Sequence, residues 1–163
     1  MKNIYFLFIS LIIISCNNNK PEILWNEAKL MRTNNRMREC IINLETIIIN
    51  YPEHDLAAKA QFQKAEIYLN DIKDYDIAIE EFEKVINQFA SHDVVKKSLF
   101  MIAYIYNNYL SSYSKAIDIY KLFIIKYPND ELIPSVKYEL EGLFGIEAII
   151  DSLNTIVNQK ENI

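Results

Sequence analysis

The chain has 163 residues, of which 51% are hydrophobic, so it is long enough to bury one substantial core. Its two glycines and four prolines are too few for a typical all-β or loop-rich protein and favour a mostly helical one. The formal net charge of -5 argues against nucleic acid as a partner, because non-specific nucleic-acid binding needs a basic field.

Residues 1–16 read MKNIYFLFISLIIISC and have the organisation of an export signal. Lys2 precedes the run Ile4–Ile14, which is apolar except for Ser10. This run is too short to span a bilayer, which takes about 20 residues. We therefore predict a signal peptide over residues 1–15.

The residues before the first cysteine point to lipid attachment. Ile13, Ile14, Ser15 and Cys16 resemble the bacterial lipobox, in which an aliphatic residue, a tolerant position and a small residue precede an invariant cysteine. The resemblance implies cleavage before Cys16 and covalent lipid on its thiol, which is a good nucleophile. Two or three acyl chains give stable anchoring. The alternatives are a plain signal peptide or an uncleaved anchor with an incidental cysteine.

The residues after Cys16 suggest where the protein is sorted. Residues 16–21 form a polar segment suited to a flexible tether. Asn17 stands where an aspartate would retain a lipoprotein in the inner membrane under the enterobacterial sorting rule. By that resemblance we expect the outer membrane, and the lack of an acidic run after the cysteine favours its periplasmic face. No cofactor is expected beyond the covalent lipid.

A helical pattern repeats through the rest of the chain. The stretch Asp74–Phe89 reads DYDIAIEEFEKVINQF and predicts an amphipathic helix with apolar residues on one side and glutamates on the other. The pattern recurs at one constant offset, in the pairs Tyr75 and Tyr113, Ala78 and Ala116, Ile79 and Ile117, Phe82 and Tyr120, and Phe89 and Tyr127. A fixed period indicates stacked copies of one helix-based unit.

Three helix pairs and a terminal pair account for the pattern. We predict repeats at about residues 22–52, 56–90 and 94–128, terminal helices over 132–158, and a tail at 159–163. The first helices align at Ala28, Ala65 and Ala103. The interval from Ala65 to Ala103 is one residue longer than the interval from Ala28 to Ala65. Cys40 aligns with Ala78, so we interpret it as a small core residue and not as a redox thiol. It has no partner in the mature chain, and a disulfide is not expected.

At these positions the chain resembles tetratricopeptide repeats. The matching sets are Ala65, Tyr68, Ala78 and Phe82; Ala103, Tyr106, Ala116, Tyr120 and Pro128; and the weaker Ala28, Met31, Cys40, Leu44 and Pro52. The resemblance implies an all-α, right-handed solenoid of antiparallel helix pairs. The period exceeds the usual length of about 34 residues, mainly in linkers such as Tyr51–Asp55. These longer linkers resemble repeats of bacterial envelope lipoproteins, such as the BamD-type subunit and the periplasmic coordinator of cell-wall synthesis and constriction.

Candidate catalytic and metal residues have a simpler structural interpretation. His54 and His92 lie one full period apart and so occupy equivalent loops of successive repeats. We expect them to be exposed, with Asp55 and Asp93 capping the following helices. The glutamates at positions 80, 81 and 83 are expected to form a solvated outer face. No nucleophile set, phosphate loop or metal-ligand spacing is present, so we predict that the protein is not an enzyme.

The stacked first helices are expected to line a concave groove that binds a partner. The residues expected to face or border it are Trp25, Lys29, Arg32, Lys59, Phe62, Glu66, Asn70, Lys97, Phe100, Tyr104, Asn107 and Asn108. The row of Trp25, Phe62, Phe100 and Tyr138 could anchor a peptide or helix, or it could pack as core against the linkers.

The sequence therefore predicts a scaffold or adaptor that binds proteins or peptides of the cell envelope and touches the membrane through its lipid. Outer-membrane protein assembly and cell-wall or division coordination are the processes that the resemblance implies. The alternative is a lipoprotein that captures a small ligand or a glycan.

Overall fold

The computed structural model describes residues 20–145. The predicted signal peptide, Cys16, the second terminal helix and the tail lie outside the described residues. Within residues 20–145 the chain forms helices and no strands. The helices are α1 (Pro21–Thr33), α2 (Met37–Asn50), α3 (Asp55–Ile67), α4 (Tyr75–Gln88), α5 (Val94–Asn108), α6 (Tyr113–Lys126) and α7 (133–145).

Local sequence explains where several helices begin. Pro21 occupies the start of α1, where its missing N–H would have had no intrahelical partner. The Asp74 side chain accepts a hydrogen bond from the backbone N–H of Ile77 at 3.2 Å and caps α4. The predicted helix over Asp74–Phe89 is thereby confirmed to within one residue at each end.

The caps of the first helices differ from the prediction. His54 Nδ1 accepts a hydrogen bond from the N–H of Leu56 at 3.1 Å, and His92 Nδ1 accepts one from Val94 at 3.2 Å. The histidines are therefore the capping side chains, and the expectation that Asp55 and Asp93 cap these helices is wrong. Both histidines are also half-buried and not fully exposed. A histidine Nδ1 can accept a hydrogen bond from the backbone N–H two residues later, as the carboxylate of an aspartate would.

Each of the three loops that join successive helix pairs also carries a side chain that pairs with a residue in the first turn of its own unit's first helix. His54 Nε2 lies 3.2 Å from a carboxylate oxygen of Glu22, and His92 Nε2 lies 3.0 Å from Asp55. At the next equivalent loop, Asp130 lies 3.1 Å from Lys96 Nζ and accepts a bond from the N–H of Leu132. These contacts place the start of each first helix beside the end of its own unit. We call the side of the solenoid that carries these three loops the loop edge.

The turn inside each pair requires a left-handed residue. Asn35, Lys73 and Ser111 have φ angles of 58°, 64° and 50°. They are spaced by the repeat period, so each unit has a left-handed residue at the same point of its turn. Asparagine tolerates this conformation, whereas lysine and serine do so at a steric disadvantage.

The unequal spacing of the first two repeats also has a structural origin. In the first unit, the N–H of Arg36 bonds to the carbonyl of Met31. In the second, the corresponding bond joins Asp74 to Tyr68 and encloses one more residue, because α3 continues into a π-helical turn over Tyr68–Ile72. The third unit repeats the longer bond, from Ser112 to Tyr106.

The hydrophobic core is divided into three clusters, and each spans one pair plus the first helix of the next. The first cluster joins α1, α2 and α3, the second joins α3, α4 and α5, and the third joins α5, α6 and α7. This arrangement confirms the predicted solenoid of antiparallel helix pairs. The small residues of the repeat pattern are fully buried where the helices meet, namely Ala28, Cys40, Ala65, Ala78, Ala103 and Ala116.

Cys40 behaves as its alignment predicts. Its side chain is fully buried, and burial raises the pKa of its thiol above the ordinary value. A buried neutral thiol is unreactive, which supports a packing role.

None of the described helices combines the length and apolar character needed to cross a membrane.

We expect Lys73→Gly to increase the free energy of unfolding by about 0.5–1 kcal/mol. Glycine removes the steric penalty of the left-handed conformation, of about 1–2 kcal/mol, but loses more chain entropy on folding. Urea denaturation of the purified protein measures the difference. Glu80→Gly, in the middle of α4, is the control and should destabilise by about 1 kcal/mol. A loss of stability in Lys73→Gly would contradict the steric explanation.

Candidate partner-binding groove

The first helices of the three units form one continuous surface. Helix α1 contacts α3, and α3 contacts α5, whereas α2, α4 and α6 contact one another at most weakly. In a curved stack, elements are closest on the inner side. The first helices therefore lie on the inner, concave side, where the groove was predicted.

The aromatic side chains at one end of the groove are half-buried. Trp25 packs against the first core cluster, with Lys29 Nζ 5.6 Å from the centre of its ring. Phe62 packs edge-on against Phe82 of α4, with ring centres 5.3 Å apart. These rings contribute to the core through one side and keep part of their surface available.

A longer series of aromatic rings continues the surface toward the turn between α5 and α6. Phe100 contacts both Tyr104 and the buried Tyr120, at ring-centre distances of 6.3 and 5.7 Å. Tyr104 contacts Tyr109, and Tyr109 stacks on Tyr75 at 4.5 Å. Tyr75 and Tyr109 were not predicted as groove residues, because their proximity depends on the turn geometry. Tyr138, the last member of the predicted row, is 76% exposed.

Charged residues from three different units share one electrostatic neighbourhood in the groove. Arg32 lies 2.7 Å from Asp71, which belongs to the π-helical turn and was not predicted. Burial raises the pKa of Glu66, while the positive charges of Arg32 and Lys97 oppose that rise. The positive charges of two predicted groove residues, Arg32 and Lys97, therefore act on a third, Glu66, across the units.

The remaining predicted groove residues are placed separately. Lys59 pairs with Asp55 on its own helix, and hydrogen bonds from Lys59 and His92 lower the pKa of Asp55. Asn107 donates to Glu139 of α7 at 2.8 Å, so its amide connects two units. The amide of Asn108 bonds to the carbonyl of Tyr104 at its own helix end. Asn70 is exposed at the start of the turn into α4.

The structure corrects the prediction that the α4 glutamates form a solvated face. Glu80 and Glu83 are exposed, but Glu81 is buried, with only 4% of its surface accessible. Its carboxylate accepts hydrogen bonds from Gln61 at 2.6 Å and Lys84 at 2.7 Å. The helical periodicity of α4 alone could not reveal this, because the polar partner belongs to α3.

This buried carboxylate links three helices. Lys64 of α3 lies 3.3 Å from Glu81 and 2.7 Å from Glu45 of α2. Burial alone would raise the pKa of Glu81, but hydrogen bonds from Lys84 and Gln61 and the charge of Lys64 bring the pKa below its ordinary value. The network joins α2, α3 and α4 between the first and second units.

The described residues carry no group of three or more histidines, cysteines or acids placed to hold a metal ion. What the groove offers is a rigid surface of half-buried rings, amides and charges. Such surfaces suit the binding of an extended segment or a helix of another protein.

The comparisons with known proteins address the class of this fold. The family model described as SNAP, soluble NSF attachment protein, matches residues 14–153. No curated protein matches the sequence.

We expect Glu81→Gln to lower the free energy of unfolding by about 1.5–3 kcal/mol at pH 7, the usual range for a hydrogen bond to a charged group. A lowered carboxylate pKa stabilises the fold above the ordinary glutamate pKa of about 4.3, and this stabilisation is lost as the pH falls through the lower folded-state value. The difference between wild type and variant should therefore shrink toward pH 3. Denaturation titrations at several pH values measure it.

Glu80→Gln is the matched control for that series. Glu80 is exposed on the same helix, so its substitution should change stability by less than about 0.5 kcal/mol. Equal effects at positions 80 and 81 would show that the buried network contributes nothing specific.

Proposed function

We propose that this chain, which belongs to the soluble NSF attachment protein family, is a non-enzymatic adaptor that binds another protein, and that its N-terminal sequence anchors it by lipid in the bacterial cell envelope. It is a helical-repeat protein of a class that acts through protein–protein interaction. The name of the family describes attachment to another protein, NSF. For this chain we take from it the general activity of attachment, with an envelope protein as the partner.

The observation that carries the proposal is the continuous inner surface of the first helices, along which α1 contacts α3 and α3 contacts α5. Arg32 of the first unit pairs with Asp71 of the second across this surface, and the exposed Lys97 belongs to the third unit. A surface shared by several units recognises a partner over an extended length, and rigid rings beside it lose little entropy on binding.

The lipid anchor and the envelope location rest on Ile13–Cys16 and the residues that follow. An anchor confines the search for a partner to the membrane surface and so raises its effective concentration. The longer linkers, which resemble those of envelope lipoproteins, support a role accessory to outer-membrane protein assembly or to cell-wall and division coordination. We place the protein at the periplasmic face of the outer membrane.

A second candidate function is the capture of a glycan or small ligand. The series Phe100, Tyr104, Tyr109 and Tyr75 favours it, because partly exposed tyrosine rings offer a flat apolar face with a polar tip. Partner identification separates this candidate from the adaptor proposal.

We expect Lys97→Ala to reduce recovery of the partner about five- to tenfold, the effect of losing a binding contact worth about 1–1.4 kcal/mol.

A photo-crosslinking residue at position 104, inside the groove, should capture a specific envelope protein in intact cells. The same probe at position 83, on the exposed side of α4, is the control. Identical crosslinks from both positions, or none from position 104, would refute the groove as the binding surface.

We expect Cys16→Ala to abolish the lipid mass on the mature protein and to move it from the membrane to the soluble fraction. Mass spectrometry of the N-terminal peptide and membrane fractionation measure these changes. Cys40→Ala is the control, since alanine already occupies the equivalent positions 78 and 116. A Cys16→Ala protein that stays membrane-bound, together with a wild-type protein that carries no lipid, would eliminate the anchor.

A further inference from the structure

We propose that the loop edge of the solenoid rests on the membrane and inserts Ile49 and Ile125 into the lipid interface. The inference rests on the proposed lipid anchor at Cys16 and adds to it a contact surface and an orientation. The partner chemistry is the uncharged, apolar zone of the same membrane that holds the anchor.

Ile49 and Ile125 are the two most exposed aliphatic side chains among the described residues, at 74% and 77%. They are separated by two repeat periods, and each belongs to the last turn of a second helix. Equivalent positions in a solenoid face the same way. The two side chains therefore project from one side of the molecule, next to the loops that begin at Tyr51 and Tyr127.

The anchor attaches to this same side. Helix α1 starts at Pro21, and the contact between Glu22 and His54 places its first turn beside the loop after α2. The short segment from Cys16 to Pro21 spans at most about 17 Å when fully extended. The lipid-bearing cysteine therefore holds the loop edge, and not the opposite edge with its left-handed turns, close to the bilayer.

The charges near these side chains favour a lipid zone without net charge. Two acidic residues of the loop edge are paired, Asp55 with Lys59 and His92 and Asp130 with Lys96. Three more in the same loops, Glu53, Asp93 and Glu131, are exposed and would be repelled by anionic lipid. Ile49 and Ile125 lie at the ends of the second helices instead. One turn earlier on the same helices stand Glu45 and Lys121, of opposite charge, and Lys126 follows Ile125. An apolar side chain at this depth is stabilised by its buried area and needs no anionic lipid.

Two insertion points and a lipid chain would fix the orientation of the protein as well as its location. A single flexible anchor leaves the domain free to rotate. Contacts at the first and third units would hold the axis of the solenoid along the membrane surface, with the groove facing sideways.

The test uses full-length, lipidated protein reconstituted in phosphatidylcholine vesicles that contain a nitroxide-labelled lipid. Single cysteines replace Ile49 or Ile125 in a Cys40→Ala background, and each carries an environment-sensitive fluorophore. Lipid on Cys16 leaves only the introduced thiol free to react. Controls are the exposed Asn34 and Ser114, which lie at the opposite edge.

We expect quenching by the nitroxide lipid to be several-fold stronger at positions 49 and 125 than at positions 34 and 114. Equal quenching at all four positions in protein that carries lipid would overturn this proposal alone. A fluorophore shielded from water but not quenched would place a protein or a second copy on this edge, which also overturns it. Absence of lipid mass would instead defeat the anchor, and this inference with it.

The double variant Ile49→Asn/Ile125→Asn separates contact from folding. Asn87 occupies the equivalent position in the middle unit, so this position accepts asparagine. The double variant should unfold at the same urea concentration as wild type, while a fluorophore at position 87 loses most of its quenching. Retained quenching at position 87 in a folded, lipidated double variant would contradict the role of the two isoleucines.

Discussion

The fold depends on the close approach of helices at six small, fully buried residues. Ala28, Ala65 and Ala103 let each first helix meet its neighbours, and Cys40, Ala78 and Ala116 do the same in the second helices. One helix pair cannot bury its apolar face alone, so each core cluster includes residues from the first helix of the next unit. The curvature that follows places the first helices on the inside and creates the groove. Function is thus a consequence of packing at these residues, although none of them can contact a partner.

The two edges of the solenoid have different physical characters. One edge carries left-handed turns at Asn35, Lys73 and Ser111, next to the salt bridge of Asp71 and the stacked ring of Tyr109. The other edge carries the histidine and aspartate contacts between helix starts and loops. The proposed membrane anchor would use this asymmetry, because one edge would face the bilayer while the other stays accessible to proteins.

The helical architecture was predictable because period and residue size together determine it. Alanine at positions 65, 78, 103 and 116 marks the packing points without reference to any other part of the chain. Interactions between units were harder to predict. Glu81 looked solvated on its own helix, and only the placement of Gln61 and Lys64 on α3 explains its burial. The approach of Tyr75 to Tyr109 likewise depends on turn geometry.

The candidate site was predictable in outline and not in detail. Register alone assigned Arg32, Glu66 and Lys97 to one surface, but their shared electrostatics required knowledge of the curvature. The cap assignments were wrong for a local reason. Aspartate is the commoner capping residue, and the histidines at positions 54 and 92 offer an equivalent acceptor one residue earlier.

The contacts of the loop edge join the start of each unit to its end. Asp55 begins the middle unit and His92 ends it, and these two residues close on one another. In a tandem copy of residues 55–92, this closing contact would be regenerated in both copies. Lys64 of the added copy would meet Glu83 of the original, since Glu83 is the counterpart of Glu45 one period later. The middle unit therefore already carries the complementary charges needed for a longer array, whereas the third unit, with Ile102 in place of Lys64, does not.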